Sequence, residues 1–428
     1  MGKGNRWWER NEQFQFIVRI NTSMADNFCI MPFVHAFVTP NKITPCCAYV
    51  GPLQVNSKEQ YWNSEQLKNI RQNFLDNKQD KGCWDCWDKE KRGFSSLRQH
   101  SNQIYEKHIQ EIKQGKRYET PFYLDLRLGN LCNLKCRMCV SEWSSQIADE
   151  ILKNPNEDWG HDKADKKLIE LDDDTWQTMD KWIPFVKRVF MTGGEPTIIK
   201  RNLDYIQKII ETGYSKDIEL IFTTNATNVN KDFLKVIKDF GKVHFSVSID
   251  GTGDLANYIR FPSNWNKVKE NLYTIGQNEV GVALNTTVQW LNMTRLDAMF
   301  KFIEEYVASK PKQFAGVWFQ LVQHPQYLDP IFAPRFMKEK AIKDIDHYLN
   351  TSTILNDDKF NDILYGEFAR SLKQTKVFLE DNIDNIKHVD EFMMRMNTLD
   401  RLREQKLFDV LPEFEQLGGN NEDSKEKK

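Results

Sequence analysis

Six strand-like runs alternate with helix-like ones between residues 122 and 322, and this alternation limits the possible folds more than any other feature. The runs are 122–128, 188–192, 218–223, 242–249, 281–288 and 317–322. Segments between them, such as 203–212 and 231–239, are long enough for helices. A strand, a crossover helix and a second strand place the strands parallel with a right-handed connection. Six such units predict an α/β fold with a mainly parallel sheet, curled into a partial, TIM-like (β/α)6 barrel. Ligand sites in such folds lie where the strands end, at their C-terminal edge.

The loops after these runs carry the chemistry. Cys132, Cys136 and Cys139 follow the first run, three thiols within residues 131–139. A structural zinc takes four protein ligands, and ferredoxin clusters take four thiolates. Three thiolates on a four-iron cluster leave one iron for a small molecule. The alternative is three buried thiols, or a zinc with a distant fourth ligand. After the second run, Gly193 and Gly194 precede Glu195; two glycines let the backbone approach a ligand, and the carboxylate accepts from a cation. Thr224, Asn225 and Ala226 follow the third run. Ser248 and Asp250 end the fourth, two residues apart and so on one side of the strand. Arg260 follows, a guanidinium suited to gripping a carboxylate at two points.

All eight cysteines precede residue 140, in close-set groups unlike the scattered pairs of a disulfide-stapled secreted chain. Cys29 leads into an expected β-hairpin, 35–39 and 42–51, that carries Cys46 and Cys47. A helix capped by Ser64 is expected over 64–75, then the Cys83/Cys86 pair on one tight turn, then a charged helix over 96–117. A further strand is expected at 13–18. Residues 153–173 form a charged excursion, 331–417 a helical region with apolar stripes, and 418–428 a tail too polar to pack. The charge balance, 59 basic against 61 acidic residues, gives no field for nucleic acid or an anionic membrane. No apolar run of about 18 residues is present, so a cytoplasmic protein with no membrane partner is expected.

The spacing of Cys132, Cys136 and Cys139, with Gly193-Gly194-Glu195-Pro196 downstream, resembles the radical S-adenosylmethionine (SAM) superfamily. The resemblance implies a [4Fe-4S] cluster on the three cysteines and SAM held by Gly193, Gly194, Glu195, Asn225, Ser248, Asp250 and Arg260. It implies reductive cleavage of SAM to a 5′-deoxyadenosyl radical, which abstracts a substrate hydrogen, with a reductant such as flavodoxin or ferredoxin. Cys29, Cys46, Cys47, Cys83 and Cys86, with Glu90, Gly93, Ser96 and Arg98, resemble the auxiliary-cluster domain called SPASM or, in its shorter form, Twitch. Here it precedes the barrel. Of the five cysteines, Cys29, Cys46, Cys83 and Cys86 are the expected ligands of a second cluster, with Cys47 as substitute for Cys46; a structural zinc on the same thiolates is the alternative. The implied domains are 1–118 (auxiliary domain and linker), 119–330 (core) and 331–417 (helical). An oxidoreductase or maturase acting on a peptide is expected. The alternatives are a small-molecule substrate and a non-catalytic, zinc-stabilised binding protein. No residue is assigned as catalytic, but His324, Tyr258 and Gln320 are candidates to face the substrate, while His35 and His244 read as core. Ala226 stands where relatives have glycine, Met138 where an aromatic residue is common, and Gln289 and Asn292 leave the adenine contacts open.

Overall fold

The computed structural model describes residues 26–51, 58–91, 95–356 and 363–417. The strand expected at 13–18, Gly93, the tail at 418–428 and residues 357–362 of the expected helical region lie outside the described residues. The chain opens with α1 (Met31–Val34), β1 (His35–Val38), β2 (Ile43–Thr44), α2 (Glu65–Leu75), α3 (Trp84–Lys91), α4 (Leu97–Ile104) and α5 (Glu106–Lys113). Strands and helices then alternate: β3 (Tyr123–Leu126), α6 (Ser145–Lys153), α7 (Asp173–Trp182), β4 (Arg188–Met191), α8 (Lys200–Glu211), β5 (Glu219–Thr224), α9 (Lys231–Val236) and β6 (Lys242–Ser248). Next come α10 (Gly253–Ile259), α11 (Trp265–Gly276), β7 (Gly281–Val288), α12 (Trp290–Met293), α13 (Leu296–Ala308) and β8 (Phe314–Leu321). Four helices close the chain: α14 (Arg335–Thr351), α15 (Ile363–Asp381), α16 (Val389–Arg403) and α17 (Leu407–Val410). All six expected strands form, close to their expected bounds.

The chain divides into two compact units, the first comprising 1–128, 170–192 and 207–220, the second 129–169, 193–206 and 221–428. In the first, the strand order is β2-β1-β3-β4. The expected hairpin forms, with Phe37 opposite Thr44, but β2 is only two residues long. β1 also runs parallel to β3, Ala36 beside Leu124, so the hairpin extends the sheet beyond β3. His35 is buried there with Nδ1 2.9 Å from the Pro45 carbonyl, which can only accept, and burial pushes its pKa down to about 3. Ser64 caps α2 as expected, accepting from Leu67 N. The single helix expected over 96–117 is instead two, α4 and α5, broken at Tyr105. Ser96 and Gln99 form a reciprocal capping box that fixes the start of α4.

In the second unit the order is β5-β6-β7-β8, with Ser248 opposite Asn285 and Asn285 opposite Trp318 in parallel register. Alternation sorts each strand into two faces. On β8, Val317 and Phe319 are buried while Trp318 and Gln320 are exposed. The buried face packs on the C-terminal helices, Phe319 against Phe368, while Phe300 of α13 stacks on Tyr348 with centroids 4.3 Å apart. Lys338, fully buried, donates its ammonium to the carbonyls of Ile331, Asn382 and Asn385, which satisfies the chain just past the end of α15. No described helix is long and apolar enough to cross a membrane.

Candidate functional site

Every residue expected to hold SAM or the three-cysteine cluster falls in the second unit. Cys132, Cys136 and Cys139 lie on the loop between β3 and α6, and the three thiols are electrostatic neighbours. Burial raises all three pKa values, Cys132 to about 12, so as bare thiols they keep their protons until a cation draws them off. Leu134 N donates to Cys132 Sγ at 3.4 Å, and Arg260 Nη1 donates to Cys136 Sγ at 3.8 Å. Among the described residues no three His, Cys, Asp or Glu converge at the spacing of a single metal ion.

The Gly-Gly-Glu turn is pressed against this loop. Gly193 has φ +103°, a conformation side chains resist. A Cβ on Gly194 would sit 2.1 Å from Leu131 O, so here glycine is required by close approach. The turn is tied to the loop by Gly194 N donating to Gly129 O and Glu195 N to Leu131 O, at 3.2 and 2.8 Å. Glu195 is 1% exposed and burial raises its pKa. Its Oε1 accepts from Thr197 Oγ1 and Thr224 Oγ1, at 2.6 and 2.8 Å; its Oε2 accepts from Asn225 N at 2.8 Å. The carboxylate thus joins the second and third strand-end loops before any ligand arrives. Asn225 Nδ2 reaches Asn133 Oδ1 at 3.0 Å, and Asn133 Nδ2 reaches Thr227 Oγ1 at 2.7 Å, closing a ring onto the cysteine loop. Ala226, where glycine was the expected pattern, takes the left-handed conformation with φ +53°.

Ser248 is buried at the end of β6, and Asp250 lies just beyond. Asp250 Oδ1 accepts from Thr287 N at 2.8 Å, and its carbonyl accepts from Asn292 Nδ2 at 3.0 Å. Its Oδ2 meets Arg260 Nη2 at 2.5 Å. The buried Arg260 Nε finds no acceptor among the described residues. Asn292, whose part was unassigned in the sequence, thus holds Asp250 in place.

A second charged group braces the cysteine loop. Arg137, between two of the cysteines and 2% exposed, stacks 3.6 Å over Tyr258 and donates to Asp400 Oδ1 of α16 at 2.5 Å and to Gln405. Tyr258 OH donates to the same Asp400 oxygen at 2.8 Å. Tyr258 was expected to face the substrate; it is fully buried in this brace instead. Arg403 and Lys135 share Glu150, with nearest distances of 2.7 and 2.6 Å. His324 is exposed, and Gln320 points its amide at Asn285 Oδ1, 3.5 Å away.

In the first unit Cys29, Cys46, Cys83 and Cys86 are buried and Cys47 is exposed. The Cys46 thiol has Cys29, Cys83 and Cys86 among its electrostatic neighbours, whereas Cys47 has Asp125 and Arg127 foremost. Arg98 clasps Glu90 through Nε and Nη2, at 2.9 and 2.6 Å, and its backbone N–H serves the Cys86 thiol.

Residues 126–303 match the family model of the radical SAM superfamily. The chain carries a radical SAM domain. Its cofactors are SAM and a [4Fe-4S] cluster. The donor set fits them: three thiols without a fourth cysteine in the same unit, a glycine turn that a Cβ would obstruct, and a guanidinium with one buried donor unmet. The chain is 25% identical over 193 residues to the tungsten-containing aldehyde ferredoxin oxidoreductase cofactor-modifying protein of Pyrococcus furiosus, covering 44% of this chain and 41% of that one. Among solved structures, anSMEcpe with bound AdoMet aligns at 18% identity and TM-score 0.38, covering 53% of this chain and 61% of that one. Streptococcus suis SuiB bound to precursor peptide SuiA aligns at 13% identity and TM-score 0.37, covering 64% and 61%. The chain thus spans less than two thirds of the length of each of these relatives.

Proposed function

We propose that this protein is a radical SAM enzyme that oxidises or otherwise modifies a peptide. When bound, the cluster and SAM supply a 5′-deoxyadenosyl radical that abstracts a substrate hydrogen. Cys132, Cys136 and Cys139 would hold the cluster, three thiolates being one fewer than a fully protein-ligated four-iron cluster takes. Gly193, Gly194 and Glu195 would receive the methionine end of SAM. Arg260 Nε receives the carboxylate, and Ser248, Asp250 and Asn225 line the rest. The single observation that carries this reading is the convergence of four strand-end loops on the three thiols, each locked by hydrogen bonds that leave Arg260 Nε open. The brace from α16 keeps the loop rigid and dry.

Residues 1–118 are proposed as the auxiliary-cluster domain, 119–330 as the core and 331–417 as the helical region. Cys29, Cys46, Cys83 and Cys86 are the proposed ligands of a second four-iron cluster, with Cys46 favoured over Cys47 by its burial among the other three. A flavodoxin or ferredoxin is the proposed electron donor. A second reading, modification of a small molecule or cofactor, is favoured by the cofactor-modifying Pyrococcus relative. The test is iron and acid-labile sulfide per chain after anaerobic reconstitution, followed by reductive cleavage of SAM to 5′-deoxyadenosine. About eight irons and cleavage support the enzyme. Zinc in place of iron overturns it in favour of a metal-stabilised binding protein.

A further inference from the structure

Arg260 sits opposite the middle cysteine by design of the backbone. Lys135 N donates to Phe261 O at 2.7 Å and Arg137 N donates to Ile259 O at 2.9 Å, so two hydrogen bonds bracket Cys136 on the cysteine loop and Arg260 at the end of α10. Neither residue can slide past its partner without breaking both. Arg260 N also closes the last turn of α10 on Ala256 O at 3.0 Å, which places the cation at a helix C-terminus. Its guanidinium then divides three ways: Nη2 on Asp250, Nη1 on Cys136 Sγ at 3.8 Å, and Nε open. Asp250 is itself clamped by Thr287 N and Asn292 Nδ2, so the fork cannot rotate away from the thiol.

We infer that Arg260 is a positioning residue for the cluster's reduction, holding a fixed positive charge on the Cys136 sulfur and so making the reduced cluster easier to reach. The inference rests on the proposed cluster at Cys132, Cys136 and Cys139, and it adds to Arg260 a role besides gripping SAM. The reduced cluster carries one more electron than the oxidised one. A buried cation within hydrogen-bond reach of a ligand sulfur stabilises that extra charge more than the same cation in water would. Asp250 opposes it, since it shares the guanidinium and brings a negative charge to the same pocket. Arg403 is a further cation within electrostatic reach of Cys136, but its Nε and Nη2 both donate to Glu150.

The experiment is a potentiometric titration of the full-length, reconstituted protein without SAM. It follows the electron paramagnetic resonance signal that the Cys132/Cys136/Cys139→Ala variant lacks. In Arg260→Gln, the reduced-to-oxidised ratio at a fixed potential should fall about tenfold, which for one electron is about 59 mV. Arg260→Lys, which keeps the charge and loses the fork, should fall by less. Asp250→Asn should move the ratio the other way. A purely structural role would not give opposite signs to the two partners. Ratios within twofold of wild type in both Arg260→Gln and Asp250→Asn overturn the inference. If Arg260→Gln does not retain iron, Asp250→Asn decides alone, an unchanged or lowered ratio overturning it. A wild type with no such signal overturns the cluster assignment instead, and the iron count identifies that case.

Discussion

In each unit a carboxylate-paired arginine serves a cysteine sulfur, Arg98 at Cys86 and Arg260 at Cys136, and the two guanidiniums are used differently. Arg98 is nearly saturated: Nε and Nη2 clasp Glu90, Nη1 donates to the carbonyls of Asp26 and Phe28, and the plane lies 4.6 Å over Trp87. Arg260 meets one carboxylate and one thiol, and leaves a buried donor unmet. Buried donors without partners are rare because each costs about 1–3 kcal/mol. A saturated guanidinium beside thiols therefore reads as scaffold, and an unsaturated one as a place prepared for an anion.

The strongest way to break that contrast is to remove the thiols. The Cys132/Cys136/Cys139→Ala variant should lose SAM cleavage entirely and about half the iron, while Cys29/Cys46/Cys83/Cys86→Ala should lose the other half; equal loss of iron in both units from either variant would erase the distinction. Next in size is the brace. Asp400→Leu leaves Arg137 buried without its partner and should lower unfolding free energy by about 3–5 kcal/mol, measured by denaturant titration. Adding Arg137→Met should restore most of that, because the pair as a whole contributes little net stability. Glu90→Ala should cost about 2–3 kcal/mol by the same logic, since Arg98 keeps its two carbonyl acceptors.

Smaller effects sharpen the picture of the first unit. Unfolded chains take up a proton at His35 near pH 6.5, whereas the folded chain refuses it until about pH 3. Between those values the unfolded state binds more protons, so stability rises with pH, and acidification destabilises by up to about 1.4 kcal/mol per pH unit. His35→Phe should flatten that slope. Smallest is Ala226→Gly in the second unit. Relief of the left-handed backbone, worth about 1 kcal/mol, is offset by a lost buried methyl of about 0.8 kcal/mol, so the melting temperature should move little. A large drop would mean the methyl is a packing element of the site.

The strands, the two cysteine groups and the Gly193-Gly194-Glu195 turn were legible because each rests on local pattern: period two, close spacing, or a residue pair with one backbone use. The parallel pairing of β1 with β3 was not. Alternation shows that a strand has two faces and says nothing about which strand lies beside it. Tyr258 was misread for a related reason. An aromatic hydroxyl near a ligand loop signals polarity, but its partner Asp400 is 142 positions away and outside any local window. Arg137 carried a faint signal, a charge lodged between two cysteines where solvent has little room. Ala226 is the clearest local mismatch: a residue without glycine's freedom holds a glycine conformation because Thr224, Asn225 and Asn271 fix the backbone on either side.

The brace from α16 also sets an order of events at the ribosome. Arg137 emerges 263 residues before Asp400, and at ~5–20 residues per second that is a delay of roughly 13–50 s. Throughout that interval the three thiols hang on a loop whose central arginine has no counter-charge. Iron delivered to the nascent chain would meet an unclamped loop, and iron delivered after release would meet a rigid one. The clamp on this cofactor site therefore closes only after α16 has been made, long after the loop it holds.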